Sequence, residues 1–183
     1  MRFEKISFEQ WKKDWKENVE GVEDSEIFCE AAYERITIPT RATATSAGYD
    51  FTIPYTFSAH YPKYGPTTPY NTKILTGIRW VGGDDHKPNL GLFLFVRSGM
   101  ALKQGIQLAN SVGVVDSDYY KADNEGHIMF VIKNDPTWPT TKSFPAMTRI
   151  GQGVFLPFYL VSEDAAIDNN TVRTGGFGST GEN

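Results

Sequence analysis

The sequence predicts an all-β fold, a barrel or β-jelly-roll, with a short N-terminal helix and a flexible Gly-rich C-terminal tail. Two observations lead there. From about residue 34 onward, short β-branched or aromatic runs (ERITIP, YDFTIPYTF, ILTGIRWV, LGLFLFV, HIMFVI, GVFLPFYLV) are separated by Gly, Pro, Asn and Asp clusters, the texture of strands joined by turns. Helical periodicity is almost confined to the start of the chain, so the strands have no helices to alternate with, and a barrel or jelly roll remains. A length of 183 residues with 40% hydrophobic content suffices for one domain with a real core.

Taken in order, Phe8, Trp11, Trp15 and Val19 fall on one apolar stripe of a helix that Gly21 ends. Ser7 followed by Gln10 fits a capping box, in which each side chain satisfies an amide at the helix start. The stripe predicts docking on the body of the protein or on a neighbouring subunit. The strands follow, with Met100 to Ile106 as a brief helical turn and Tyr55 to Tyr70, rich in Pro, Tyr and Thr, as a long loop. The expected organisation is a helical extension over 1–33, a jelly-roll domain over 34–162 and a mobile tail over 163–183.

Charge and composition exclude several function classes. With 18 Lys+Arg against 22 Asp+Glu the net charge is −4, and no Lys/Arg-rich run exists to hold nucleic acid. Cys29 is the single cysteine, so neither an intrachain disulfide nor a Cys-x-x-Cys metal site can form. No apolar run approaches the roughly 20 residues that span a bilayer, and the first residues lack a secretory pattern. The expectation is a soluble cytoplasmic protein (host cytoplasm if phage-borne) with no nucleic-acid or membrane partner.

Three clusters carry chemistry. In the tail, RTGGFGSTG combines Arg173, Phe177, Gly178, Ser179 and Thr180. Successive glycine amides can cradle a phosphate, the guanidinium and hydroxyls add donors, and Phe177 can stack on a base; a plain flexible linker is the alternative. The second cluster places Arg97, Ser98 and Gly99 after the apolar run LGLFLF, then Asn110, a turn at 111–113, Val114, Val115 and Asp116. Asp116 is either a partly desolvated carboxylate suited to general-base work or a turn residue capping its own backbone. The third is Asp50 in SAGYD, of interest where a cation must be held beside phosphates. A net-negative polyphosphate binder needs such a cation, and Mg²⁺ is the natural one. His60, His86 and His127 are too scattered for a zinc site.

Together the clusters resemble the trimeric dUTP diphosphatase (dUTPase) family, whose five motifs occur in order as AGYDF (47–51), RSGMA (97–101), NSVGVVDSDYY (110–120), RIGQGVF (149–155) and RTGGFGSTG (173–181). The resemblance implies a jelly-roll homotrimer that hydrolyses dUTP to dUMP and pyrophosphate, limiting uracil in DNA and supplying dUMP for thymidylate synthesis. It implies Asp116 as the base that activates water, and Ser98, Gly99 and Gln152 as holders of phosphate oxygens and the water network. Tyr119 would lie against the deoxyribose and exclude a 2′-hydroxyl, while Asn110 and the backbone through Gly113 and Val115 would read the uracil edge. Mg²⁺ would ride on the substrate phosphates and waters with Asp50 in its outer shell. The tail, with Arg173, Phe177, Gly178, Ser179 and Thr180, would close over the nucleotide from another subunit.

The sequence departs from the family pattern at three places. Arg173 precedes Phe177 by four positions rather than five, six residues (YKADNE) stand between Tyr119 and Gly126 where one is usual, and Val96 replaces a proline. The 120–125 insertion and the N-terminal helix raise a second reading, a nucleotide-sensing regulatory protein with a partner at that insertion. A purely structural jelly roll leaves the ordered motifs unexplained. A dCTP deaminase shares the fold but resembles this chain less, because Val131 stands where that enzyme has its proton-shuttling glutamate.

Overall fold

The computed structural model describes residues 1–19, 26–59, 71–82, 89–133 and 142–161. In chain order it begins with β1 (Arg2–Lys5), α1 (Phe8–Asn18) and α2 (Glu26–Glu34), followed by β2 (Thr40–Arg41), β3 (Tyr49–Thr52), β4 (Phe57–Ala59) and β5 (Asn71–Val81). Then come β6 (Leu90–Val96), α3 (Ser98–Gln104), β7 (Gln107–Leu108), β8 (Gly113–Val115) and a single 3-10 turn at Tyr119–Lys121. The described chain closes with β9 (Ile128–Lys133), β10 (Lys142–Phe144) and β11 (Arg149–Pro157). Among the described residues no helix is long and apolar enough to cross a membrane.

All strand pairings are antiparallel, in sheets ordered β1-β5-β9-β7 and β2-β3-β11-β6-β8, with β4 and β10 paired separately. The β-rich architecture agrees with the expected jelly roll. The period-2 pattern of β6 explains its place: Leu92 and Leu94 are buried while Phe93 and Phe95 are half-buried on the other face. Phe51 of one sheet meets Phe130 of the other edge-on, with centroids 5.5 Å apart. On β11, Gly151 makes room for that ring, since a Cβ there would fall 2.1 Å from Phe130 Cε1.

The N-terminal segment differs from a simple helical appendage. Arg2–Lys5 form a strand that extends the first sheet along β5, with Phe3 against Tyr49, Phe51 and Phe155. Glu4 accepts from Arg79 Nη2 at 2.7 Å, and this bond, with a second from Arg2, holds its carboxyl below the usual range. Ser7 caps α1 as expected, its Oγ accepting from Gln10 N at 3.1 Å. The reciprocal half of the capping box does not form. Ser7 N–H donates instead to Glu125 Oε2 at 2.8 Å, because a carboxylate is the stronger acceptor, and Gln10 Nε2 is buried without a partner.

The stripe docks on the protein's own body: Trp11 and Trp15 are buried, Trp11 Nε1 donates to Cys29 O of α2 at 3.0 Å, and Trp15 meets Tyr55 edge-on. Burial pushes the Cys29 thiol pKa up, which suits an inert structural residue. On the same helix Asp14 Oδ2 lies 2.7 Å from His127 Nδ1, and both side chains are almost fully buried. His127 Nε2 accepts from Gly77 N at 2.8 Å, so the proton resides on Nδ1 and is donated to Asp14. Gly77 belongs to a bulge, residues 76 and 77 being extra between Leu75↔Met129 and Ile78↔Ile128. Its φ is +70° and Ile36 covers it, leaving no space for a Cβ. Several groups at the bulge find other partners: Leu75 N donates to Tyr55 OH, Gly77 O accepts from Ile6 N, and Thr76 Oγ1 donates to Ile128 O and accepts from Ile78 N.

Three strand expectations change. ERITIP is not a strand, because α2 runs to Glu34 and Ile36 then turns inward to cover Gly77. The expected 55–70 loop contains β4, and residues 60–70 lie outside the described residues. GVFLPFYLV stays a strand only to Pro157, which has no N–H to continue a ladder. The tail and Trp138 also lie outside the described residues.

Because Trp11 has no exposed surface in the core cluster, Trp11→Ala should cost about 3–5 kcal/mol in urea unfolding; an independently folding extension would leave the main transition unmoved. The Glu4 pairing is complete above the ordinary glutamate pKa of about 4.3 and lost as pH falls through the lowered folded value. The stability gap between wild type and Glu4→Gln should therefore narrow in urea titrations taken below about pH 4.

Candidate active site

The motif residues gather in two places. The first is a cleft of about 550 Å³, measured out to its open mouth, lined by Leu94, Leu108, Asn110, Gly113, Val114, Val115, Tyr119 and the Ile128–Val131 stretch of β9. It lies where β8, the last strand of its sheet, approaches the β7–β9 side of the other. Among the described residues β8 pairs only with β6, through Leu92↔Val115 and Leu94↔Gly113. Its other edge presents main-chain donors and acceptors.

The turn before β8 is tightly set. Ala109 N bonds Val131 O at 2.8 Å, Val112 N bonds Asn110 O at 2.6 Å, and Ser111 takes the left-handed conformation at φ 62°. Gly113 is pressed on Leu94, with a would-be Cβ 3.1 Å from Leu94 Cβ. Tyr119 is buried (7% exposed) in the cleft wall, and its hydroxyl accepts from Asn124 Nδ2 at 2.8 Å. Val131 supplies only hydrocarbon to the wall.

The second group stands on the outward face of the β3-β11-β6 sheet. Thr40, Asp50, Gln152 and Phe95 form one row across it. Phe51, Gly151 and Gly153 point to the core, so Asp50 and Gln152 point away from it. Asp50 is bracketed by two guanidiniums, Arg97 Nε at 3.1 Å from Oδ1 and Arg149 Nη1 at 3.1 Å from Oδ2. The carboxylate thus holds both guanidiniums at one place on the sheet face. Gly48 leaves room for Gln152, whose Oε1 would lie 2.4 Å from a Cβ at position 48.

Ser98 and Gly99 begin α3, where the first amides have no intrahelical acceptor. A Cβ at Gly99 would meet nothing within 4 Å, so the space above it is open.

Asp116 corrects an expectation. It is exposed at the end of β8, not partly desolvated, because burial alternates from Gly113 through Val115 and the chain then turns out, with Tyr119 N bonding Asp116 O at 3.2 Å. Arg149 belongs to the fourth motif, three residues before Gln152, and that membership is the only sequence signal for its place beside Asp50. Asn124 had no signal beyond membership of the insertion. Arg173, Phe177, Gly178, Ser179 and Thr180 lie outside the described residues. Among the described residues no three His, Cys, Asp or Glu side chains gather as ligands for a metal ion.

A family model described as dUTPase matches residues 34–181. The deoxyuridine 5′-triphosphate nucleotidohydrolase of Lactococcus lactis subsp. lactis is 38% identical over 150 residues, 80% of this chain and 89% of that protein. That of Haemophilus ducreyi is 37% identical over 147 residues, 79% of this chain and 87% of that protein. The crystal structure of dUTPase from Streptococcus mutans aligns at a TM-score of 0.61 and 30% identity, covering 88% of this chain and 98% of that one. The dUTPase of phage phi11 of S. aureus shares the fold at 18% identity and a TM-score of 0.54, over 70% of this chain and 87% of that one.

The fold and these relatives place the chain among β-jelly-roll nucleotide hydrolases. The chain belongs to the dUTPase family, and its reaction is the hydrolysis of dUTP.

Because Arg149 is exposed and Arg97 only partly covered, Asp50→Ala should change stability by no more than about 1 kcal/mol. With both guanidiniums unaimed, kcat/KM for dUTP should nonetheless fall by at least about tenfold. Steady-state kinetics beside a urea titration separate the two.

Proposed function

We propose that this dUTPase releases dUMP and pyrophosphate by attack of water on the α-phosphorus, with Asp116 as general base, at a site completed only when copies of the chain assemble. The observation that carries the reading is the edge cleft, which offers main-chain hydrogen-bonding groups between Asn110 and Val115 opposite the ring of Tyr119. Uracil fits such an edge because its alternating acceptor and donor groups can pair with peptide C=O and N–H, whereas cytosine leaves buried groups unpaired. The close packing of Gly113 on Leu94 keeps that edge rigid, which disfavours a base carrying an extra methyl. Tyr119, filling the wall, rejects a 2′-hydroxyl sterically.

The outward direction of Asp50 and Gln152 supports a homotrimer. These side chains project from a sheet face, while the cleft opens at a sheet edge, so one chain does not gather them around one nucleotide. The run from Leu156 to Val161 also exposes large apolar side chains, with Tyr159 96% exposed, as expected of a surface covered by another copy. In the assembly, Ser98 with the open space at Gly99 receives a phosphate oxygen, Gln152 holds the water network, and Arg97 adds positive charge. Asp116, exposed in the single chain, becomes desolvated when nucleotide and neighbour cover it. The tail residues Arg173, Phe177, Gly178, Ser179 and Thr180 close over the substrate, excluding water.

The residues fit a Mg²⁺ carried by the substrate phosphates and waters, not one held by a protein cage. Asp50 has four lone-pair sites and gives two to arginines, leaving two for waters of such an ion. When bound, the ion neutralises phosphate charge. A regulatory role at the 120–125 insertion is not favoured, because Glu125 binds Ser7 and Ala122 is buried, so the loop is engaged with its own chain.

Asp116→Asn should retain the fold and lose about 10²–10⁴-fold in kcat, read as pyrophosphate release. Across dUTP, dCTP, dTTP and UTP, dUTP alone should be cleaved efficiently, and EDTA should suppress turnover. Ammonia released from dCTP would contradict the hydrocarbon wall at Val131.

A further inference from the structure

The six residues between Tyr119 and Gly126 send side chains to the cleft and to the N-terminal helix. Asn124 Nδ2 donates to Tyr119 OH at 2.8 Å, while its Oδ1 accepts from Gly126 N at 3.1 Å. Both ends of the amide are therefore bonded, and its orientation is set. The next residue, Glu125, holds a left-handed conformation at φ 57°, uncommon for a side chain of this kind. Its carboxylate accepts from Ser7 N and Ser7 Oγ at the start of α1, and Arg79 Nη1 stands 3.7 Å away. Gly126 follows at φ 72°, where a Cβ would lie 2.5 Å from Tyr120 Cα. His127 is then locked between Asp14 and Gly77, and its carbonyl receives the Tyr119 hydroxyl at 3.4 Å.

We propose that Asn124 is a positioning residue for the cleft tyrosine, and that α1 acts through Glu125 and His127 to make the N-terminal segment part of the sugar-selecting wall. This rests on the reading of the cleft as the deoxynucleoside site. The physical reason is tolerance. Rejection of one hydroxyl demands that the ring sit within about half an ångström of its place. A tyrosine hydroxyl bonded at one point can still tilt, whereas one held by Asn124 and by the His127 carbonyl cannot do so without breaking a bond. The loop carrying both groups is anchored to α1 at the helix cap and again one helical stretch further, at Asp14. The N-terminal segment, which lies outside the residues the family model matches, and the insertion are thereby one device.

The test is the ratio of kcat/KM for dUTP to that for UTP, with the urea midpoint measured on each variant. In Asn124→Ala the ratio should fall roughly tenfold, the equivalent of one neutral hydrogen bond. Tyr119→Phe deletes that bond together with the one to the His127 carbonyl while keeping the ring, and the double variant should fall no further than Tyr119→Phe alone. Should Asn124→Ala not fold, Tyr119→Phe carries the same expectation. Glu125→Gly removes the clamp but relieves the left-handed backbone, so its ratio should drop even where its urea midpoint is retained. An unchanged ratio in these variants, or losses that multiply in the double variant, would overturn the proposal. A wild-type protein that cleaves UTP as well as dUTP would instead refute the underlying reading of the cleft.

Discussion

A buried imidazole organises this molecule. His127 accepts from the Gly77 amide on one side and donates to Asp14 on the other, so the bulge in β5, the first helix and the start of β9 are joined through one ring. Each polar group in that chain is costly to bury alone and satisfied only with the others present. The bulge needs an acceptor for the Gly77 N–H, the ring needs an acceptor for its own proton, and Asp14 can be that acceptor only if α1 lies across the sheet. The apolar contacts of Trp11 and Trp15 supply the driving force for docking. The imidazole decides where along the sheet the helix comes to rest.

From that arrangement the site follows. β9, which begins beside His127, forms the floor of the cleft, and the segment before it carries Tyr119. Across the cleft β8 keeps a free edge because α3 and the 109–112 turn return the chain to β6 from the outside. The arginine pair around Asp50 lies on the outward face of the β3-β11-β6 sheet, apart from the cleft at the β8 edge. A single chain thus carries two groups of motif residues, one at a sheet edge and one on a sheet face.

Much of this was legible in the residues. Ser7 as a cap, the Trp11–Trp15 stripe, the turn at Met100, the strand runs and the ordered motifs are local signals, and the local geometry honours them. The missed features depend on partners distant in sequence. Arg2–Lys5 is an ordinary polar segment until β5 offers an edge. ERITIP has strand composition, yet Ile36 is needed as a plug over Gly77. Asp50 carries no mark of its two arginines, which come from positions 97 and 149. Asp116 follows two valines and reads as half-buried, but the chain turns outward just there.

Family membership, strand content and the chemical inventory of the site are written in residue order, because motifs and periodicities are properties of neighbours along a chain. The joining of extension to insertion is of another kind. Glu125 meets Ser7 across 118 positions and His127 meets Asp14 across 113, and each contact exists only because the β5–β9 bulge brings both ends to one side of the sheet. Contacts between such remote positions are selected by burial and by the need to satisfy every enclosed polar atom, which depend on the folded shape as a whole.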